Sequence, residues 1–386
     1  METIKGKTFI EVKEALKEKF VIKEDANLYL VTAKRDETEF TTDLHRGVIL
    51  EKETNKVVFM CFKDRIEFDE AKPELSNYGL EWSNCQVEES IEGSQIRMYH
   101  YGGKWCVATS HCIDAHNSRW GGNNFYDLFV DAATFMNWDF SQLDSKYCHL
   151  LVMQHPKNVL VNEFTEPKLI HILSRDTSIE SCPEAELDIG LPKPKIVTQF
   201  QSMEELLQDV NTTTNKDKEG YVIKDTQSGK RIKIMSKIYK EMSDLRMNVS
   251  SNNMVYHYLM LLAKDKVADY LKLYPKDTQR FQEIEVKIEA MIEEIFQQYI
   301  RKFKLKVIKM SDVFYPFRPF VYELNGLYLK SRVPINRQIV RDELFKKASQ
   351  QIAFIYHNYF QESRMRDKLE MDIDEETGEI FINTPP

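Results

Sequence analysis

Glu89-Ser90-Ile91-Glu92-Gly93-Ser94 is the stretch from which the rest of this 386-residue chain is read. It is followed at once by two β-rich runs, residues 95–101 and 105–109, joined across Gly102-Gly103. Two glycines between alternating apolar runs predict a tight hairpin, because that turn needs two residues at positive φ. Upstream, residues 48–50 and 57–61 form another pair, linked by the polar Lys52-Glu53-Thr54-Asn55. Downstream, residues 147–153, 159–161, 169–173, 221–225 and 231–235 continue the strand pattern, with a tight turn expected over 225–229. Two helices interrupt the strands. Residues 124–136 carry Phe125, Leu128, Phe129, Ala132 and Phe135 on one helical face. Residues 202–210 open with Ser202 and have Glu205 three positions on, the arrangement of a capping box.

Beyond residue 250 the pattern changes from short strands to helices. Phe281, Ile284, Ile288, Met291, Ile295, Tyr299 and Phe303 recur at steps of three and four over 278–303, which predicts one long amphipathic helix whose stripe is a packing face. Residues 253–273 and 339–360 are expected to be helical as well. The expected division is a first domain over 1–248, a helical domain over 249–365 and an acidic tail over 366–386. Glu370, Asp372, Asp374, Glu375, Glu376 and Glu379 crowd that tail.

Composition narrows the class. Apolar residues at 42% and aromatic residues at 11% describe a globular chain long enough for two cores. No run of about 18 apolar residues occurs and the N-terminus has no leader pattern, so a soluble, intracellular, cytoplasmic protein with no membrane contact is expected. Six cysteines without a CxxC pair fit a reducing compartment rather than a disulfide framework. His111, Cys112 and His116 lack a fourth ligand at metal-binding spacing. The net charge of −8 excludes a generally polyanion-binding surface but leaves room for a local basic groove.

The motifs follow a fixed order. After Glu89–Ser94 come Gly103-Lys104-Trp105-Cys106-Val107-Ala108-Thr109, then Leu151-Val152-Met153-Gln154-His155-Pro156-Lys157-Asn158. Glu219-Gly220-Tyr221-Val222 and Arg231-Ile232-Lys233-Ile234-Met235-Ser236 close the series. Together with Arg46-Gly47-Val48-Ile49-Leu50, this order resembles the motif series of the phage-type ATP-dependent RNA ligases, a branch rich in viral proteins, within the covalent nucleotidyltransferase superfamily. The resemblance spans roughly residues 40–245 and makes a viral or phage origin plausible. It implies an α+β nucleotidyltransferase fold, the ligase adenylation fold of two antiparallel sheets with flanking helices. It also implies a mainly helical C-terminal domain, to which Phe314-Tyr315-Pro316-Phe317-Arg318-Pro319 adds a likeness.

In that family a lysine amine attacks the α-phosphate of ATP, adenylate passes to an RNA 5′-phosphate, and a 3′-hydroxyl displaces it. Cations and a divalent metal such as Mg2+ neutralise the developing charge. The lysine position is Ser90 here, so no residue is assigned as the catalytic nucleophile. The next carboxylate is Glu92, and Gly93 and Ser94 match. The third motif has Val152 where the family has a carboxylate. Glu219 and Gly220 match, with Glu219 the position that supports metal. Lys233 matches the first lysine of the last strand, but the second is Met235. The nucleotide-binding set implied is Arg46, Ser90, Glu92, Gly93, Val152, Glu219, Lys233 and Met235. Three losses in one pocket favour a catalytically inactive pseudo-ligase kept as an RNA-, nucleotide- or protein-binding module, with a partner in a larger assembly as one option. The alternatives are an active ATP-dependent RNA ligase with a non-standard nucleophile, and an unrelated α+β protein with chance matches. Lys302, Lys304, Lys306, Lys309, Arg332, Arg337 and Arg341 are candidate phosphate contacts.

Overall fold

The computed structural model describes residues 4–34, 47–62 and 65–371. Arg46 and residues 372–386 of the acidic tail lie outside that range. The chain divides into two compact units, Met1–Asn252 and Asn253–Pro386.

In the first unit the elements run α1 (Phe9–Leu16), β1 (Phe20–Glu24), β2 (Leu28–Ala33), β3 (Val48–Glu51), β4 (Val57–Met60), β5 (Arg65–Glu67), β6 (Cys85–Glu89), β7 (Ser94–Tyr101) and β8 (Lys104–Thr109). They continue with the ribbon β9 (Arg119–Trp120) and β10 (Asn123–Asn124), then α2 (Phe125–Phe135), β11 (Tyr147–Gln154), β12 (Lys168–Asp176), β13 (Glu184–Ala185), β14 (Ile196–Val197), α3 (Met203–Thr212), β15 (Gly220–Asp225), β16 (Arg231–Met235) and α4 (Lys237–Arg246).

The strands assemble into two five-stranded sheets, ordered β13-β12-β11-β7-β8 and β14-β6-β15-β16-β5, and a four-stranded sheet β1-β2-β3-β4. Every pairing is antiparallel except the short β16–β5 contact. The two large sheets are those expected. The β1–β4 sheet is an addition: residues 20–33 supply two strands that the sequence reading passed over. Its inner face packs Leu28, Leu30, Ile49 and Phe59 against Tyr99, Ala108, Cys148 and Leu150 of the first large sheet. The opposite face of that large sheet buries Ile96, Met98, Leu151 and Met153 under α2, whose N-cap is Asn124. The second large sheet buries Val87, Tyr221, Ile223, Ile232 and Ile234 under α3, where Ser202 accepts from the Glu205 N–H as expected, while the reciprocal half of the capping box is replaced by Gln201 N–H donating to Glu205 Oε2 at 2.7 Å. Gly102 and Gly103 have φ values of 60° and 78°, the tight hairpin turn foreseen between β7 and β8.

Residues 159–161, expected as a strand, form a loop instead. Their backbone is diverted to a side chain: Val161 and Asn162 both donate their N–H groups to Glu92.

The second unit holds α5 (Met254–Ala263), α6 (Val267–Leu273), α7 (Thr278–Tyr299), a π-helical turn (Ile300–Lys304), α8 (Arg318–Ser331), α9 (Arg337–Phe345) and α10 (Ser349–Met371). The stripe on α7 is buried as read, with Phe281, Ile284, Ile288, Met291, Ile295 and Tyr299 all inside. Residues 253–273 are two helices rather than one. The polar Lys264-Asp265-Lys266 intervenes, and Asp265 takes a left-handed φ of 54°. Residues 339–360 likewise belong to two helices, parted at Lys346-Lys347-Ala348. Among the described residues no helix is long and apolar enough to cross a membrane.

Candidate functional site

Ser90 leaves the end of β6 beside the start of β15, and its N–H donates to the Gly220 carbonyl at 3.0 Å. Gly220 is obligatory at this crossing. Its φ is 142°, and a Cβ there would lie 2.0 Å from the Ile234 carbonyl oxygen. The close approach of β15 to β16 turns the preceding Glu219 inward, where it is 6% exposed. The Ser90 hydroxyl donates to Glu219 Oε2 at 2.5 Å, and Lys233 Nζ of β16 meets Glu219 Oε1 at 2.5 Å. Both carboxylate oxygens are therefore engaged, one by a neutral hydroxyl and one by an ammonium.

Gly93 is the second crossing. At φ 149° its missing Cβ leaves room for the Met153 carbonyl, which a side chain would meet at 2.5 Å. The next residue, Ser94, donates to Asn158 Oδ1 at 2.6 Å. Glu92 is 5% exposed and faces the loop after β11. It accepts from Val161 N, Asn162 N and Asn162 Nδ2, each at 2.8 Å. Burial pushes its carboxyl above the ordinary range, against the pull of those donors. Glu92 thus anchors a loop. His155 is a turn residue: its Nδ1 accepts from Lys157 N, and its Nε2 lies 2.9 Å from Asp131.

The two large sheets face each other across a slot of about 70 Å3. Leu150 and Val152 of β11 and Ile172 of β12 form one wall; Glu88, Ser90, Val222 and Lys233 form the other. Val152, to which the motif order assigns the family's carboxylate position, gives this wall of the slot an apolar side chain. Met235 shares with Lys233 the face of β16 that turns to the slot, but does not line it. Next to the slot, and sharing Ser90 with it, a cleft of about 570 Å3 is bordered by Gly220 and the carboxylates Glu89, Glu92, Glu163, Asp217 and Glu219. Its Lys218 is spent on Asp209 at 2.6 Å.

A clamp that sequence reading missed joins the two sheets. Glu184 of β13 receives Arg231 of β16 in a bidentate pair at 2.7 and 2.9 Å. Arg175 of β12 adds a contact at 3.1 Å and Lys224 of β15 one at 3.4 Å. The Arg231 guanidinium also lies 5.0 Å over the Phe62 ring at the edge of the slot. These cations hold the Glu184 carboxyl down at about 2, although burial works the other way. Glu88, facing the same slot, has its carboxyl raised by burial. Strand alternation marked both residues: Arg231 stands two positions before Lys233, and Glu88 two before Ser90.

The groups implied for an active ligase fit this arrangement poorly. Among the described residues no three His, Cys, Asp or Glu side chains converge as metal ligands, and each Glu219 oxygen already accepts one hydrogen bond. Lys233, the candidate phosphate contact, is bound to Glu219; the slot alone is far below the roughly 300 Å3 of small-ligand pockets, whereas the adjoining cleft bordered by Ser90, Glu92 and Glu219 exceeds it. His116, weighed as a ligand, instead lies 2.6 Å from Asp114 and stacks on Tyr126. In the helical unit Arg337 and Arg341 are tied to Glu289 of α7, leaving Lys304, Lys306 and Lys309 as the exposed cations of that candidate set nearest the π-helical turn.

No protein-family model matches the chain. It is 23% identical over 383 residues to the immediate-early protein ICP-46 homolog of Invertebrate iridescent virus 3, covering 92% of this chain and 83% of that protein. It is 26% identical over 247 residues to a proposed bifunctional polynucleotide kinase/RNA ligase of Autographa californica nuclear polyhedrosis virus. The match covers 60% of this chain and 34% of that protein, so the chain spans about a third of the length of that relative. The solved structures it is similar to are ATP-dependent RNA and DNA ligases. An archaeal ATP-dependent RNA ligase aligns with a TM-score of 0.44 at 14% identity, over 71% of this chain and 70% of that one. A proposed ATP-dependent DNA ligase from Aquifex aeolicus aligns with a TM-score of 0.39 at 15% identity, over 75% and 80%.

Proposed function

We propose that this chain is an RNA-ligase-like protein whose adenylation pocket no longer performs nucleotidyl transfer and which serves as a binding module. The observation that carries this reading is the closed Lys233–Glu219–Ser90 arrangement at the position of the family's lysine. A lysine amine on the α-phosphate would form a phosphoramidate, which retains the energy to make the pyrophosphate bond of an adenylated RNA end. A Ser90 hydroxyl would form an ordinary phosphodiester while pyrophosphate leaves. Passing adenylate from a phosphodiester to a 5′-phosphate is uphill, so a serine carrier stalls even when it is loaded. One further feature supports the reading: Val152 removes a polar contact from the slot.

RNA or a protein in a larger assembly is then the ligand class, bound through surfaces outside the slot, with ATP and Mg2+ dispensable. The Ser90–Glu219 hydrogen bond gives the opposite reading its one foothold, since a carboxylate is able to take a hydroxyl proton. Sealing of a 5′-phosphorylated nicked RNA duplex by the full chain, with ATP and Mg2+ or Mn2+, separates the two. The pseudo-ligase reading expects no joined product at stoichiometric protein, and ATP-dependent sealing would overturn it.

A further inference from the structure

We propose that the cationic surface around the π-helical turn Ile300–Lys304 is the docking site of the chain's own acidic segment, residues 372–386, which covers it against other polyanions. Both parts belong to the helical unit, so the site is independent of the Ser90 slot.

The end of α7 carries five cations in nine residues: Arg301, Lys302, Lys304, Lys306 and Lys309. The chain folds back at Lys306, whose φ is 57°, and the Val307 N–H donates to the Arg301 carbonyl at 3.0 Å. The cations are therefore gathered about one helix end. Asp312 is near enough to feel the charges of Lys309 and Lys302, and among the described residues none of the five cations forms an ion pair. A helix end favours cations, because its last carbonyls are negative. That does not account for the apolar side chains exposed among them. Leu305 and Val307 are 61% and 66% exposed, and Tyr322 of α8, whose ring centroid lies 6.2 Å from that of Phe303, is 55% exposed.

Residues 372–386 carry the complement. Asp372, Asp374, Glu375, Glu376 and Glu379 are five carboxylates with no Lys or Arg among them, and Ile380-Phe381-Ile382 follows directly. The carboxylates match the cations, and the apolar triplet matches Leu305, Val307 and Tyr322. A nucleic acid would satisfy the cations through its phosphates but leave the two aliphatic side chains in water. The net charge of −8 also opposes its approach.

The segment is long enough to reach. Tyr359 of α10 lies 5.3 Å from Phe317 and 6.0 Å from Phe314, ring to ring. The Phe314 N–H donates to Gln298 Oε1 at 2.9 Å, one turn before the π-helical turn. Beyond Tyr359 the helix rises about 18 Å to Met371. Residues 372–386 span up to about 50 Å when extended, so they can return to the turn whichever way α10 points. A tether of this kind gives an effective concentration on the order of 1 mM. A segment that binds with a Kd of about 0.1 mM is then docked roughly nine-tenths of the time.

The test compares the full chain with one ending at Met371, both treated with an acetylating N-hydroxysuccinimide ester at low salt and mapped by mass spectrometry. Lys304, Lys306 and Lys309 should acetylate about tenfold more slowly in the full chain, and the difference should vanish at about 1 M salt. Lys157, exposed in the first unit, should react equally in both. A full-length variant with Asp374→Asn, Glu375→Gln, Glu376→Gln and Glu379→Gln should react like the shortened chain. A synthetic peptide of residues 372–386 at about 1 mM should restore the protection to the shortened chain. Equal rates in the full and shortened chains would overturn the proposal. So would protection that fades on dilution, which assigns the surface to the segment of a second copy. Equal protection of the three lysines by an oligouridylate in both chains would assign the surface to nucleic acid and overturn it as well.

Discussion

Replacing Glu184 by Gln should cost the first unit about 3 kcal/mol at neutral pH. The carboxyl stands at about 2 in the folded chain against an ordinary 4.5, and that difference converts at about 1.4 kcal/mol per pKa unit. The geometry agrees with the figure. Arg231 and Arg175 have side chains only 5% and 3% exposed, so removing their shared anion strands two buried guanidinium groups. Breaking one side of such a pair typically costs about 3–5 kcal/mol. Because the folded pKa is depressed, the stabilisation is complete above about pH 4.5 and is lost as the pH falls toward 2. The wild-type advantage over Glu184→Gln should thus be about 3 kcal/mol at pH 7, roughly 1 kcal/mol at pH 3, and close to nil at pH 2. Urea denaturation followed by tryptophan fluorescence reads this directly, since Trp82, Trp105, Trp120 and Trp138 all belong to the first unit. A difference below about 0.5 kcal/mol at pH 7, or one that does not change with pH, would refute the clamp as the tie between the two sheets.

The buried pair His149 and His171 shares the Ser174 hydroxyl at 2.7 and 2.9 Å, and burial pushes both rings down to about 4. Both are neutral in the folded chain at pH 7, so stability should fall as the pH drops from about 6.5 to 4, by at most about 3 kcal/mol per ring. A His171→Gln variant should show a shallower slope of urea midpoint against pH in that window, and an unchanged slope would remove the pair from the account. Glu92→Ala leaves the Val161 and Asn162 N–H groups without their acceptor, which should cost about 2–4 kcal/mol and speed exchange at those two amides. Unchanged exchange there would show that Glu92 does not hold the loop.

Much of the fold was legible because local signals agreed with it. The two glycines before Lys104, the Ser202–Glu205 cap and the α7 stripe each encode their structure within a few residues. The strand expected at 159–161 failed because its apolar residues do not decide where the backbone hydrogen bonds go; Glu92, some 70 residues earlier, claims them. Long helices were broken at Lys264-Asp265-Lys266 and Lys346-Lys347-Ala348, where the apolar face lapses. At the site, Ser90 and Lys233 both meet Glu219 and Val152 lines the slot beside them, with Gly93 and Gly220 allowing the close crossings, while Met235 of the same expected set lies off the slot. Glu184 was invisible in the same reading. It acts through pairing across two sheets, and no short-range pattern records that.

The central claim is that Ser90 does not carry adenylate. Intact-mass measurement of the full chain after incubation with ATP and Mg2+ or Mn2+ tests it most directly, with peptide mapping across Ser90. The chain should remain unmodified at every ATP concentration. A mass gain of one AMP mapped to Ser90, chased onto a 5′-phosphorylated RNA, would contradict it.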